Sequence, residues 1–150
     1  MESRMPNPAY LNPAATKAIL GLVDAVQDQG VPEATMELVH LRTSQINGCS
    51  WCLEYGMQNA RKAGETDERL VTLPGWRDAP YFTDGERAAL ALAESMTRLA
   101  DTSDPVPNDV WAAATKLYDE RALGALVIWI ATTNFFNRIN VTTRQVAGSR

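Results

Sequence analysis

Histidine and cysteine are scarce in this chain of 150 residues, which has one histidine, His40, and two cysteines, Cys49 and Cys52. A zinc site needs about four ligands. Such a site could therefore form here only if Glu37 and His40 both reached the cysteine pair. The sequence predicts no bound metal, and no motif in it indicates a cofactor.

Runs of basic residues and long apolar segments are also missing. The net charge is -4 and the isoelectric point is about 5.0, which argues against nucleic acid or an anionic membrane surface as a partner. The longest apolar run, Ala122 to Ala131, is about half the length of a membrane span and suits a buried core helix. The first thirteen residues have no apolar core of the kind a signal peptide needs. We therefore expect a cytoplasmic protein with no membrane partner.

No segment shows the alternation of a β-strand, and there is no internal repeat. Apolar residues instead recur at helical spacing between Asn, Pro and Gly breakers, which predicts one all-α domain over residues 1–150. Residues 1–11 are expected to form an extended N-terminal arm. Seven helices are predicted, beginning near Pro13, Pro32, Cys49, Thr66, Thr83, Asp109 and Glu120.

The last predicted helix is apolar nearly all round between Leu123 and Phe136. A helix of this kind is normally buried on every side. In a domain of this size, such burial suggests packing against another copy of the chain, so we expect a homo-oligomer.

The cysteines stand in the most informative stretch of the sequence. Asn47-Gly48 predicts the end of one helix, with the next beginning at or beside Cys49. Both sulfurs would then lie in a first helical turn, where unpaired N–H groups and the helix dipole favour a thiolate. The spacing of three also allows a disulfide. These features favour a redox dithiol, with an inert pair and a metal site as the alternatives.

Two titratable residues precede the cysteines on the same predicted helix. Glu37 lies among apolar neighbours, and a buried carboxyl group has a raised pKa and can shuttle protons. The alternative is an ordinary surface carboxylate. His40 is three residues further on, so the two side chains can meet on one helix face. A histidine hydrogen-bonded at a subunit contact is the simpler interpretation of His40, and the alternative is a catalytic residue that shares proton transfer with Glu37.

Several segments together resemble the carboxymuconolactone decarboxylase / alkylhydroperoxidase D-like family. They are RTSQINGC, which ends at Cys49, the later segment ARKAGET, and the helix TDGERAALALAE. The resemblance runs roughly from Glu33 to Asn140. The family pattern is a glutamate twelve residues before the first cysteine, then CxxC, then a histidine four residues after the second. This chain has the glutamate and the cysteines but carries Gly56 at the histidine position.

The resemblance implies an all-α fold, a trimer or hexamer, and reduction of peroxides through a dithiol/disulfide cycle. It implies that Cys52 is the peroxidatic cysteine, that Cys49 resolves its sulfenic acid, and that Glu37 belongs to the proton relay. The partners would be a peroxide substrate and an external dithiol reductant. Because Gly56 replaces the histidine, we expect weak activity that Gly56→His would raise if the scaffold seats an imidazole there. The alternatives are lactone decarboxylation and a non-catalytic or redox-responsive oligomer.

Overall fold

The computed structural model describes residues 1–149, and within that range the chain is all-helical, as the sequence predicts. It contains eight α-helices and one 3-10 turn, with no β-strand among those residues. The helices are α1 Pro8–Leu11, α2 Pro13–Ala25, α3 Glu33–Asn47, α4 Ser50–Lys62, α5 Asp67–Thr72, α6 Asp84–Thr97, α7 Asn108–Leu117 and α8 Glu120–Thr143, and the 3-10 turn is Leu73–Gly75.

The additional helix is α1, so the prediction that residues 1–11 form an extended arm was wrong for Pro8–Leu11. The Asn7 side chain accepts a hydrogen bond from the Ala9 N–H group at 3.0 Å and caps this turn. Asn7-Pro8 is the same start signal as Asn12-Pro13, which opens α2 as predicted. The signal was missed because only four helical residues follow it.

The other predicted helix boundaries rest on recognisable caps. Thr83 and Glu86 form a reciprocal capping box at the start of α6. Gly48 ends α3 with φ at +67°, a left-handed conformation that favours glycine. This residue sets the sharp turn between α3 and α4, and therefore the position of the cysteines.

Helix α3 lies between two apolar clusters that form the core. On one side, Val39 packs with residues of α6 and α8, and Trp129 donates from Nε1 to the Met36 carbonyl at 2.8 Å. On the other side, Leu38 and Leu41 pack in the cluster that contains the α6 residue Leu90 and the 3-10 residue Leu73. Each fully buried leucine contributes about 1.5–3 kcal/mol to stability. The helix that carries Glu37 and His40 is therefore held firmly.

Helix α8 is long and apolar enough, by length and composition, to cross a membrane, but 56% of its apolar window is buried inside the protein. Its polar residues Asn134 and Asn137 are buried and accept hydrogen bonds from Asn47 Nδ2 at 3.0 and 2.9 Å. These bonds fasten the end of α3 to α8. Ile128 and Phe135 stay more than 40% exposed, and burial of this face against another copy remains a prediction.

Candidate active site

The two cysteines stand at the start of α4 and are joined by a disulfide. Cys49 is the N-cap residue and Cys52 lies in the first turn, with their Cα atoms 5.3 Å apart. Both residues are at least 98% buried, and the Cys52 backbone N–H group donates to Cys49 Sγ at 3.3 Å. The predicted position in a first helical turn is therefore confirmed, as is the predicted ability to form a disulfide.

The two cysteines line different cavities. Cys52 lines a cavity of about 130 Å³ together with His40, and most of its other walls are apolar or aromatic. Cys49 lines a separate groove of about 310 Å³. The walls of the smaller cavity are Asn7, Tyr10, Leu20, Val23, His40, Trp51, Cys52, Tyr55, Trp129, Phe136 and Asn140.

The sulfur of Cys52 receives a hydrogen bond that sequence reasoning missed. Asn140 Nδ2 lies 3.3 Å from Cys52 Sγ, and Asn140 is itself held by Asn7 Nδ2, which donates to its Oδ1 at 2.9 Å. An N–H donor on the sulfur favours the thiolate once the disulfide is reduced. The available signal was a polar residue in an apolar helix, but the sequence did not show which element it would meet.

His40 is buried within its own chain, with 5% of its surface exposed, so its interpretation as a subunit-contact residue was wrong. Its Nε2 atom is 3.1 Å from the Cys52 carbonyl oxygen. Because a carbonyl only accepts, Nε2 carries the hydrogen. Burial lowers the pKa of His40, partly offset by this hydrogen bond. The ring is therefore neutral near pH 7, which leaves Nδ1 as its acceptor.

The imidazole of His40 occupies the space beside Gly56. A Cβ atom built on Gly56 would lie 2.6 Å from His40 Cδ2, 3.1 Å from His40 Nε2 and 2.9 Å from Leu41 Cδ2. Real Cβ atoms essentially never make contacts as short as the first. A histidine does stand next to position 56, but it comes from α3. The scaffold consequently has no room for a second imidazole at position 56. Gly56→His was expected to raise activity only if such room existed, so that gain is no longer expected.

Glu37 is half-buried and lines a third cavity, of about 240 Å³, together with His40. Burial, the larger cause, and the nearby Glu33 carboxylate together raise the pKa of Glu37 to about 7. His40 therefore borders both the Glu37 cavity and the Cys52 cavity. Glu37 and Cys52 thus line two different cavities, and the neutral imidazole of His40 lines both.

Trp51 and Tyr55 form an aromatic wall next to the cysteines. Their rings stack at a centroid distance of 5.3 Å, and the Tyr55 ring meets His40 edge-on at 6.3 Å. Trp51 Nε1 donates to the Ser149 carbonyl at 3.2 Å. Both side chains thereby fix the shape of the Cys52 cavity.

The raised pKa of Glu37 has a measurable consequence for stability. The unfolded carboxyl group titrates near 4.5 and the folded one near 7, so stability is lost as the pH rises through this window. We expect Glu37→Gln to be more stable than the wild type at pH 8, by roughly 1–3 kcal/mol, and to differ little at pH 4.5. Denaturant unfolding at both pH values measures this difference. A stability difference independent of pH, or equal to that of the exposed-surface control Glu68→Gln, would contradict it.

The segment that carries these site residues matches a known protein family. Residues 13–95 match the pattern of the carboxymuconolactone decarboxylase family, and this range contains the cysteine pair, Glu37, His40 and Gly56. The chain belongs to the carboxymuconolactone decarboxylase family. Among its relatives is the uncharacterised protein YdfG of Bacillus subtilis, 31% identical over 138 residues and covered over 92% of both chains. The uncharacterised protein YnjA of Escherichia coli is 34% identical over 107 residues, which are 69% of this chain and 55% of YnjA.

Solved structures share the fold of this family member. A protein of unknown function from Agrobacterium tumefaciens, suggested to be the antioxidant defence protein AhpD, superposes with a TM-score of 0.89 and 28% identity. That match covers 99% of this chain and all of the other. The debrominase Bmp8 superposes with a TM-score of 0.80 and 21% identity, covering 92% of this chain and 73% of Bmp8. At that identity the second match shows the fold alone.

Proposed function

We propose that this chain is a thiol-dependent peroxidase, working in the cytoplasm through a cycle between the Cys49/Cys52 dithiol and its disulfide. The observation that carries the proposal is the position of His40. Its buried, neutral imidazole touches the Cys52 backbone and borders both the Cys52 cavity and the cavity of Glu37. A peroxide bound against Cys52 would therefore have a nucleophile and a proton relay on the same side.

In the first step the Cys52 thiolate attacks one peroxide oxygen. The S–O bond forms as the O–O bond breaks, so Cys52 is oxidised to a sulfenic acid and the other oxygen leaves as an alkoxide. That oxygen takes the Nε2 hydrogen of His40, which leaves the Cys52 carbonyl, while Glu37 gives its proton to Nδ1 of His40. The product is an alcohol or, from hydrogen peroxide, water. Near pH 7 about half of the Glu37 side chains carry a proton to give.

In the second step the Cys49 thiolate attacks the sulfur of the Cys52 sulfenic acid. The disulfide forms as the S–O bond breaks, and the hydroxyl leaves as water with the proton that Cys49 gave up on becoming a thiolate. An external dithiol then reduces the disulfide and is itself oxidised, which restores both thiols. The disulfide seen here corresponds to the oxidised state of this cycle.

Lactone decarboxylation and a non-catalytic, redox-responsive oligomer are the competing functions for a member of this family. Decarboxylation does not need a dithiol, and a redox-responsive oligomer does not need an acid that titrates near pH 7 in a cavity bordered by His40. We also propose that the exposed face of α8, with Ile128 and Phe135, is covered in a homo-oligomer, either a trimer or a hexamer.

Peroxide consumption in the presence of dithiothreitol tests the proposed function. The wild type should consume an organic hydroperoxide catalytically, and its rate should fall as the pH rises above about 7, because Glu37 then loses the proton that it donates. Glu37→Gln should lower the rate about 100-fold, the lower end of what general acid catalysis supplies, and remove this pH dependence. Glu68→Gln, a change of equal charge on the exposed surface of α5, should behave as the wild type. A wild type that consumes no peroxide with any dithiol would refute the proposal.

A further inference from the structure

The groove beside Cys49 lies apart from the cavity in which the peroxide is proposed to react. Its walls include Cys49, Ser50 and Arg144, but not Cys52, whereas the smaller cavity includes Cys52 and not Cys49. At about 310 Å³ the groove accommodates a small organic molecule. The two cysteines of the disulfide thus line two different spaces, and Asn140 lines both.

This separation decides which sulfur an external thiol can attack. A thiolate enters a disulfide along the line of the S–S bond and expels the far sulfur. A thiolate in the groove therefore bonds to Cys49 and releases Cys52 as the thiolate. The leaving thiolate receives the hydrogen bond from Asn140 Nδ2, 3.3 Å from Cys52 Sγ in the disulfide state. A stabilised leaving thiolate departs faster.

The charge of the groove indicates what kind of thiol it accepts. None of its lining residues is Asp or Glu, although the chain has 18 acidic residues, and Arg144 supplies the one charged side chain. Among residues 1–149, the Arg144 guanidinium makes no hydrogen bond or ion pair. An unpaired guanidinium on a wall suits a carboxylate, which it can bind through two parallel hydrogen bonds.

Carbonyl groups at the C-terminal end of α8 are already hydrogen-bonded, so they do not offset the positive charge of Arg144. The Gln145 N–H group bonds the Asn140 carbonyl at 2.9 Å, and Arg4 Nη1 bonds the Thr142 carbonyl at 2.8 Å. On the opposite wall, the first turn of α4 begins at Ser50. The positive end of that helix dipole adds to the attraction for an anion.

We infer that the physiological reductant is a small carboxylate-bearing dithiol, bound through Arg144 in this groove, that attacks Cys49. This inference rests on the peroxidase cycle proposed above and names the partner of its last step. The thiolate forms a mixed disulfide with Cys49 and Cys52 leaves with the bonding electron pair. A second thiol group of the reductant then displaces Cys49, so two thiols are oxidised and the protein disulfide is reduced.

The test compares 3-mercaptopropionate with 3-mercaptopropionamide, which differ only in carrying a carboxylate or an amide. The full chain is oxidised to the disulfide, mixed with either thiol at low ionic strength without peroxide, and quenched with an alkylating reagent. Each rate is divided by that of the same thiol with a free model disulfide, which removes the difference in intrinsic reactivity. We expect about a tenfold preference for the carboxylate, equivalent to about 1.4 kcal/mol. The mixed disulfide should be on Cys49 and the alkyl group on Cys52.

Variants separate the role of Arg144 from that of overall charge. Arg144→Gln should remove the preference, and Arg144→Lys should keep part of it. Lys116→Gln changes the net charge by the same amount at an exposed site on α7 and should keep all of it. Equal corrected rates for the two thiols, an undiminished preference in Arg144→Gln, or an adduct on Cys52 would each overturn the inference. Because no peroxide is present, these outcomes are independent of whether the proposed peroxidase activity exists.

Discussion

Replacing Cys52 with serine is expected to reduce peroxide consumption to the background rate of the dithiol alone, because the attacking sulfur is lost. Cys49→Ser should behave differently. It keeps the nucleophile and its proton relay, so it should consume one equivalent of peroxide rapidly. In the absence of added dithiol it should then stop as a sulfenic acid on Cys52, because Cys49 is no longer there to resolve it.

Two effects compete in deciding which cysteine attacks the peroxide. The helix dipole and the Cys52 N–H group favour a thiolate at Cys49, the N-cap residue, by about 0.3–1 kcal/mol. A positioned proton donor for the leaving oxygen contributes about 10²–10⁴-fold in rate, and His40 lines the cavity of Cys52 rather than the groove of Cys49. The second effect is larger, so Cys52 is expected to react first.

A reagent that traps sulfenic acids distinguishes the two assignments. Each single variant is treated with one equivalent of peroxide and then with the reagent, and the labelled peptide is found by mass spectrometry. Label should appear on Cys52 in Cys49→Ser and be absent from Cys52→Ser, with the double serine variant as the unlabelled control. Label on Cys49 in Cys52→Ser, with none on Cys52 in the other variant, would reverse the assignment.

Gly56→Ala is expected to lower peroxidase activity about 100-fold, although it adds only one methyl group. Its Cβ atom would lie 2.6 Å from His40 Cδ2, so the imidazole must move and its contact with the Cys52 carbonyl must break. Overpacking of this kind lowers the free energy of unfolding by about 1–3 kcal/mol. This loss exceeds the gain of about 0.5–1 kcal/mol in helix stability that alanine has over glycine. Gly56→His should lower activity for the same reason, although the family pattern by itself suggests a gain.

The matched control is Gly124→Ala in α8, where an added Cβ atom would have no heavy atom within 4 Å. That variant should keep wild-type activity. The most informative variant combines His40→Ala with Gly56→His, since the space vacated by one imidazole could then receive the other. Partial recovery relative to His40→Ala alone is expected. Full activity in Gly56→Ala would show that the position of His40 does not matter.

The parts of the site that lie close together in the sequence could be predicted from it. Glu37 and His40 are one helical turn apart, and Asn47-Gly48 ends their helix immediately before Cys49, so local rules bring these residues into one region. The helical caps at Asn12 and Thr83 were predictable for the same reason. Each of these features depends on contacts between residues only a few positions apart.

The parts that depend on tertiary packing could not be predicted. Asn140 lies 88 residues from Cys52 in the chain, and nothing in the pattern of α8 indicated that its amide would meet that sulfur. In the sequence, Gly56 at the histidine position of the family pattern indicated only the loss of a histidine. Only the packing of α3 against α4 shows that the missing side chain makes room for His40.

Single-turnover stoichiometry tests the central claim most directly. Fully reduced protein receives one equivalent of an organic hydroperoxide without any reductant, and the alcohol formed and the remaining free thiols are counted together. One alcohol should form and two thiols should be lost per chain, with both thiols found in one Cys49–Cys52 disulfide. Unchanged thiols with the hydroperoxide intact, or thiols lost without any alcohol, would contradict it.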